Sequence, residues 1–251
     1  MAVATQTVQD TSQLYKPDTT AMTAMQKMAR VMWGPWLAMG VMIVLTAFLL
    51  GAINAGANVA PYFENSKLAR DTAEAGSAIV ADKVGIESLK AFIPGFKFLG
   101  LGLLFGGITF LLATILGTLR NSGYRVQAAT GVDPKFPKPP LEARLFPMLM
   151  MMGFMILIAT FIVGIWLTGQ SADFWNHSIA AQIDAAQAGD PLLAQLGRIN
   201  AVKAWQEPLT FVGVATMFVA IGLALATIIK VLRAQAVTMV NLVSNHEGHS
   251  H

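Results

Sequence analysis

Four apolar runs, at about 34–57, 96–119, 146–168 and 209–231, alternate with polar segments along the chain. Each run spans twenty residues or more, which at about 1.5 Å per residue crosses a hydrocarbon core of roughly 30 Å. The pattern predicts four transmembrane helices. Polar segments 58–95 and 169–208 carry apolar positions at helical spacing on either side of Ala75-Gly76 and Ala188-Gly189. That spacing predicts two short helices in each outer loop, broken at the glycine. Between the second and third runs stand Pro134, Pro137, Pro139 and Pro140, which predict an extended strap. Ahead of the first run, Met22, Met25, Met28 and Met32 fall near one helical face while Gln26, Lys27 and Arg30 fall elsewhere. This segment reads as an interfacial helix, with Trp33 and Trp36 at headgroup depth.

The pattern is written twice. Displacing the sequence by 113 positions lays Met39-Gly40 on Met152-Gly153, Gly51 on Gly164, Asp71 on Asp184 and Gly76 on Gly189. Without a gap it continues through Lys90-Ala91 on Lys203-Ala204 and Ala113-Thr114-Ile115 on Ala226-Thr227-Ile228, ending at Leu119-Arg120 on Leu232-Arg233. About two dozen of some eighty aligned positions are identical, more than shared membrane composition gives without gaps. The expected fold is therefore an all-α integral membrane protein of four transmembrane helices, arranged as two parallel two-helix repeats with short extramembrane helices in the outer loops. Its expected parts are an N-terminal tail and interfacial helix (1–33), a first repeat (34–120), a strap (121–145), a second repeat (146–233) and a His-bearing tail (234–251). Two spans separate equivalent points, so the copies should share one orientation about a pseudo-two-fold axis along the membrane normal.

Lipid competes with leucine as a packing partner, so helices in it associate where small residues let backbones approach. The second run offers Gly100, Gly107 and Thr114 on one face, and the fourth offers Gly213, Ala220 and Thr227 at equivalent positions. Gly102 and Gly106 add a small-xxx-small pattern to the second run alone. These residues predict spans two and four at the centre, with one and three outside them.

Charge sets orientation. The N-terminal segment, the strap and the C-terminal tail together hold ten of the seventeen basic residues, whereas loop 58–95 is nearly balanced and loop 169–208 has Arg198 and Lys203 against four acids. Both termini are expected in the cytoplasm, in a bacterial inner or intracytoplasmic membrane. With 55% hydrophobic and 12% charged residues, the lipid bilayer is the expected environment. A net charge of +3 without a basic stripe argues against nucleic acid.

No run carries Asp, Glu, Lys, Arg or His in its middle, and the chain has no cysteine. Proton relays and voltage sensors use intramembrane ionisable groups, haem needs axial ligands and iron–sulfur clusters need thiolates, so these classes are disfavoured. Asn54 is the one strong amide in the apolar runs, and it reads as a helix contact because its counterpart is Leu167. The duplicated Asp71/Asp184 and Lys90/Lys203 read as a salt bridge between the two short helices of each outer loop, with a pseudo-symmetric binding site above the membrane as the alternative. His246, His249 and His251 in the tail are candidate ligands for Cu, Ni or Zn. The methionines, including Met148, Met150, Met151, Met152 and Met155, are soft donors that suit Cu(I), although they also pack well. No enzyme motif appears. The chain is expected to be no enzyme but an accessory or scaffold subunit that meets other membrane-protein subunits, with further copies of itself also allowed as partners. A small pseudo-symmetric channel or transporter, with a polar path beside Thr109, Thr114 and Thr227, is the alternative; metal handling is a weaker one.

Overall fold

The computed structural model describes residues 24–129, 141–184 and 189–247. Helix α1 (Ala24–Asn54) runs through a π-helical turn (Ala55–Val59) into α2 (Ala60–Glu64). There follow α3 (Lys67–Asp71), α4 (Ala78–Ala129), α5 (Leu141–Trp175), α6 (Ile179–Asp184) and α7 (Pro191–Glu247). The described secondary structure is wholly helical, and four stretches are long and apolar enough to cross a membrane.

Local chemistry starts the helices where the sequence changes character. Ser66 Oγ accepts a hydrogen bond from the Ala69 amide and Ser77 Oγ one from Val80, at 3.2 and 3.4 Å. Ser178 Oγ accepts from Ala181 at 3.2 Å, and Asp190 Oδ1 accepts from Leu192 at 2.7 Å just before Pro191. Each of these side chains satisfies an amide that has no partner in the first helical turn. Gly76 and Gly189 adopt φ of +80° and +90°, so the chain reverses into α4 and α7 at left-handed positions that glycine takes without strain.

Three expectations change. The interfacial segment and the first span are one helix, α1, with Pro35 inside it. In each outer loop the second expected helix is continuous with the following span, because α4 passes through Pro94 and α7 through Pro208. Both prolines face outward, and packed residues on either side hold the helix together through the one missing amide. The strap is also shorter than 121–145, since α4 continues to Ala129 and α5 starts at Leu141; its prolines lie outside the described residues.

The four long helices form two hairpins, α1 with α4 and α5 with α7. Helix α4 is central, as expected, but between the hairpins it packs more extensively on α5 than on α7. The α4–α7 crossing carries two aromatic pairs, Phe98 on Phe211 at 5.5 Å and Phe105 on Phe218 at 4.6 Å between ring centroids. A two-fold axis would require α1 to meet α7 as α4 meets α5. Among the described residues α1 packs mainly on α4 and touches α5 through Trp36 and Phe154, 5.1 Å between ring centres, but it makes no contact with α7 comparable to that of α4 with α5, so the halves are not related by a two-fold. The core is layered along the bundle, with Ala91, Leu167, Phe174 and Ile199 at the outer-loop end. Met150, Leu157, Met217 and Ala220 fill the middle, and Leu116, Phe146 and Ala224 the opposite end.

Candidate functional site

The glycines on α4 open it to different neighbours. A Cβ at Gly100 would lie 2.8 Å from Ile43 and 3.0 Å from Val44, both on α1. At Gly107 it would meet Leu37 at 2.7 Å and the Trp33 carbonyl at 3.0 Å. Gly102 instead receives Leu157 and Phe154 of α5, at 2.7 and 3.3 Å. Gly106 lies under the Trp36 ring at 2.6 Å, with Met150 of α5 at 3.8 Å. In the second hairpin Gly213 meets Ile156 and Leu157 at 3.0 Å, and Ala220 and Thr227 are fully buried. These small residues thus let α1 onto α4 and α5 onto α7, with Gly102 admitting α5 to α4; they do not form a single α4–α7 seam.

The tightest approaches to a neighbouring backbone involve two glycines on the partner helices, Gly40 and Gly153. A Cβ on Gly40 would sit 2.6 Å from the Leu104 amide nitrogen and 2.8 Å from the Gly100 carbonyl oxygen. On Gly153 it would sit 2.6 Å from Met217 Cγ and 2.7 Å from the Gly213 carbonyl oxygen. Sequence reasoning did not assign these residues a packing role; their presence among the repeated positions was the available signal.

The hydroxyls turn inward on their own helices. Thr109 donates to the Phe105 carbonyl at 2.9 Å and lies 3.3 Å from the Met150 sulfur. Thr114 donates to Phe110 at 2.9 Å and Thr227 to Leu223 at 2.8 Å. Such bonds satisfy the hydroxyl without a neighbouring helix or water. Longer polar contacts come from Gln206, whose side-chain amide donates to the Thr160 carbonyl of α5 at 2.9 Å, and from Gln195, which donates to Asp173 at 2.9 Å. Near the end of α1, the Asn58 amide donates to Asn54 Oδ1 at 2.7 Å across the π-helical turn. A Cβ on Gly85 of α4 would lie 2.8 Å from that same Asn58 amide, so the turn is seated against α4.

At the outer-loop end, cations lie on aromatic rings. Lys83 and Lys90 each lie 3.1 Å from Glu87, and Lys83 stands 4.5 Å from the Trp175 ring centre. Arg70 covers Phe63 at 4.8 Å and Tyr62 at 5.2 Å. Lys90 is therefore paired along its own helix with Glu87, three residues away, rather than with Asp71, which is exposed. The side chain of Asp184 lies outside the described residues. The two outer loops touch, the Ile179 amide donating to the Ala73 carbonyl at 3.2 Å.

At the opposite end a crevice of about 390 Å³ opens between α1, α4 and α5. Trp36 and Met28 wall it from α1, Phe110 and Ala113 from α4, and Phe154 and Met150 from α5, with Arg120 and Arg144 among its lining. Its size is that of a small-molecule site, but its surface is mostly apolar and suits an acyl chain. The methionines do not gather into one donor set: Met150 is buried, whereas Met148, Met151, Met152 and Met155 are exposed along α5. His249 and His251 lie outside the described residues, as does the side chain of His246. Among the described residues no group of three or more His, Asp or Glu side chains is placed to hold a metal ion.

No protein-family model, curated protein or solved structure matches this chain.

Proposed function

We propose that the chain is a tandem duplication of a two-span unit and serves as a non-catalytic scaffold subunit of a larger membrane complex, with both termini in the cytoplasm. Duplication is supported by contacts that recur at the 113-residue offset. Gly40 lies against Gly100 and Leu104 as Gly153 lies against Gly213 and Met217, and Ile43 meets Gly100 as Ile156 meets Gly213. Gly76 and Gly189 share the same left-handed turn.

The observation that carries the scaffold reading is the length of α4 and α7. They have 52 and 57 residues, whereas about 20 suffice to cross the bilayer. At 1.5 Å per residue they measure on the order of 80 Å, leaving roughly 50 Å of rigid helix for the two aqueous faces together. On one face these extensions pack with the outer loops around Phe174 and Ile199. On the other the Gln235 side chain ties α7 to the Leu119 carbonyl of α4. Braced helices projecting on both sides suit docking of other subunits in the membrane and beyond it. Hydroxyls satisfied within their own helices favour this reading over a polar conduit through the bundle.

Mild extraction of the native membrane followed by native mass spectrometry tests the proposal. Stoichiometric recovery with a membrane protein of different sequence is the expected result. Recovery of the chain alone, or with copies of itself only, overturns the scaffold role.

A further inference from the structure

The way the two hairpins meet leaves half of an interface unfilled at each edge of the chain. Helix α4 of the first hairpin receives α5 of the second, but α1 and α7 do not meet in the same manner. Such a contact is head to tail, and a head-to-tail contact can be repeated until it closes a ring. Both hairpins run the same way through the membrane, so repeating the step keeps every unit in the membrane plane. We infer that a second copy of this chain covers the open edge, its α1 packing on α7 as α5 packs on α4 within one chain, and that the assembly is a closed head-to-tail ring of at least two chains.

The side chains at the two edges support this occupant. Within the chain, Phe161 of α5 lies against Phe92 and Phe96 of α4, at 6.0 and 6.1 Å between ring centres. At the offset of 113 residues the counterparts are Phe48 on α1 and Trp205 and Leu209 on α7. Phe48 is 72% exposed and Trp205 46% exposed, so aromatic surface of the same kind stands uncovered at both edges. Where Gly102 accommodates Phe154 and Leu157 within the chain, α7 has Ala215 and α1 has Val41 and Val44, so the side chain that grows on one edge would face side chains that shrink on the other.

The inference rests on the duplication and not on the scaffold role. The chain has no native cysteine, so paired thiols report the contact directly. A chain carrying Phe48→Cys and Trp205→Cys, oxidised in native membranes, is expected to form disulfide-linked dimers and a ladder that stops at the closed ring. A control carrying Leu49→Cys with Trp205→Cys should stay uncrosslinked, because Ile162, the counterpart of Leu49, faces outward on α5. Equal crosslinking by both pairs, or none by either, overturns the proposal. A monomer by native mass spectrometry from nanodiscs at high protein-to-lipid ratio would do the same. Absence of the ring, with Gly40→Ala and Gly153→Ala each still lowering the stability of the chain, would reject this assembly while leaving the duplication standing.

Discussion

Replacing Gly40 by alanine tests whether the hairpins are set by backbone contact. The new Cβ would lie 2.6 Å from the Leu104 nitrogen and 2.8 Å from the Gly100 oxygen, where ordinary contact begins at 3.4 Å. Both atoms belong to the backbone of α4, so no rotamer change relieves the overlap. The helices must separate by roughly 0.6–0.8 Å, and overpacking of this kind costs about 1–3 kcal/mol. Gly153→Ala should behave alike, since its Cβ would lie 2.7 Å from the Gly213 carbonyl oxygen. Gly169 and Gly222 are helical positions with nothing within 4 Å of an added Cβ, and they supply the controls. There alanine is expected to be neutral or to stabilise by up to about 1 kcal/mol, because it restricts the unfolded chain. The assay is reversible unfolding of the purified protein in mixed micelles with increasing SDS, followed by circular dichroism. If Gly40→Ala and Gly153→Ala unfold at the same SDS fraction as the two controls, backbone approach does not set the hairpins and the reasoning fails.

Gly102→Ala should be milder than Gly40→Ala, near the lower end of about 1–3 kcal/mol, because the overlapped atom is the terminal Leu157 Cδ1 rather than backbone, while Leu157 is fully buried with its other methyl against Gly213. The same unfolding series ranks the two, and a larger loss at Gly102 contradicts the assignment. Ala113→Phe should fill the crevice between α1, α4 and α5 and lower the amount of phospholipid retained after detergent washing, measured by mass spectrometry. Unchanged lipid retention means that the crevice holds no acyl chain. Titration with Cu(I), Ni(II) and Zn(II) should show only weak binding that disappears when residues 245–251 are deleted, since His246, His249 and His251 are the clustered imidazole donors of the sequence. Tight binding that survives the deletion would move the site to the methionines.

The helical character of this chain was legible because lipid leaves a spanning segment one way to satisfy its amides, and apolar runs of sufficient length therefore declare themselves. The breaks at Gly76 and Gly189 were legible for a local reason too, since both adopt the left-handed backbone that ends a helix. Helix limits were less so. The spans were expected to begin near 34, 96 and 209, yet Pro35, Pro94 and Pro208 beside those points all lie inside continuous helices. The glycines of α4 were visible as packing residues but their partners were not: Gly100 and Gly107 take α1 while Gly102 takes α5. Helical spacing identifies a face, and three faces of α4 are occupied by three helices.

The sequence alone determined four stretches long and apolar enough to cross a membrane, their order and the 113-residue offset at which identical residues recur, because each depends on residues near one another in the chain or on direct comparison of two segments. Tertiary structure decided which small residue meets which helix, that Lys90 turns to Glu87 rather than Asp71, and that α4 receives α5 while α7 keeps its equivalent face open. Those outcomes depend on the rotation between two hairpins that share one pattern. A periodic apolar surface in lipid permits several such rotations, and only close contact between particular side chains and backbones selects among them.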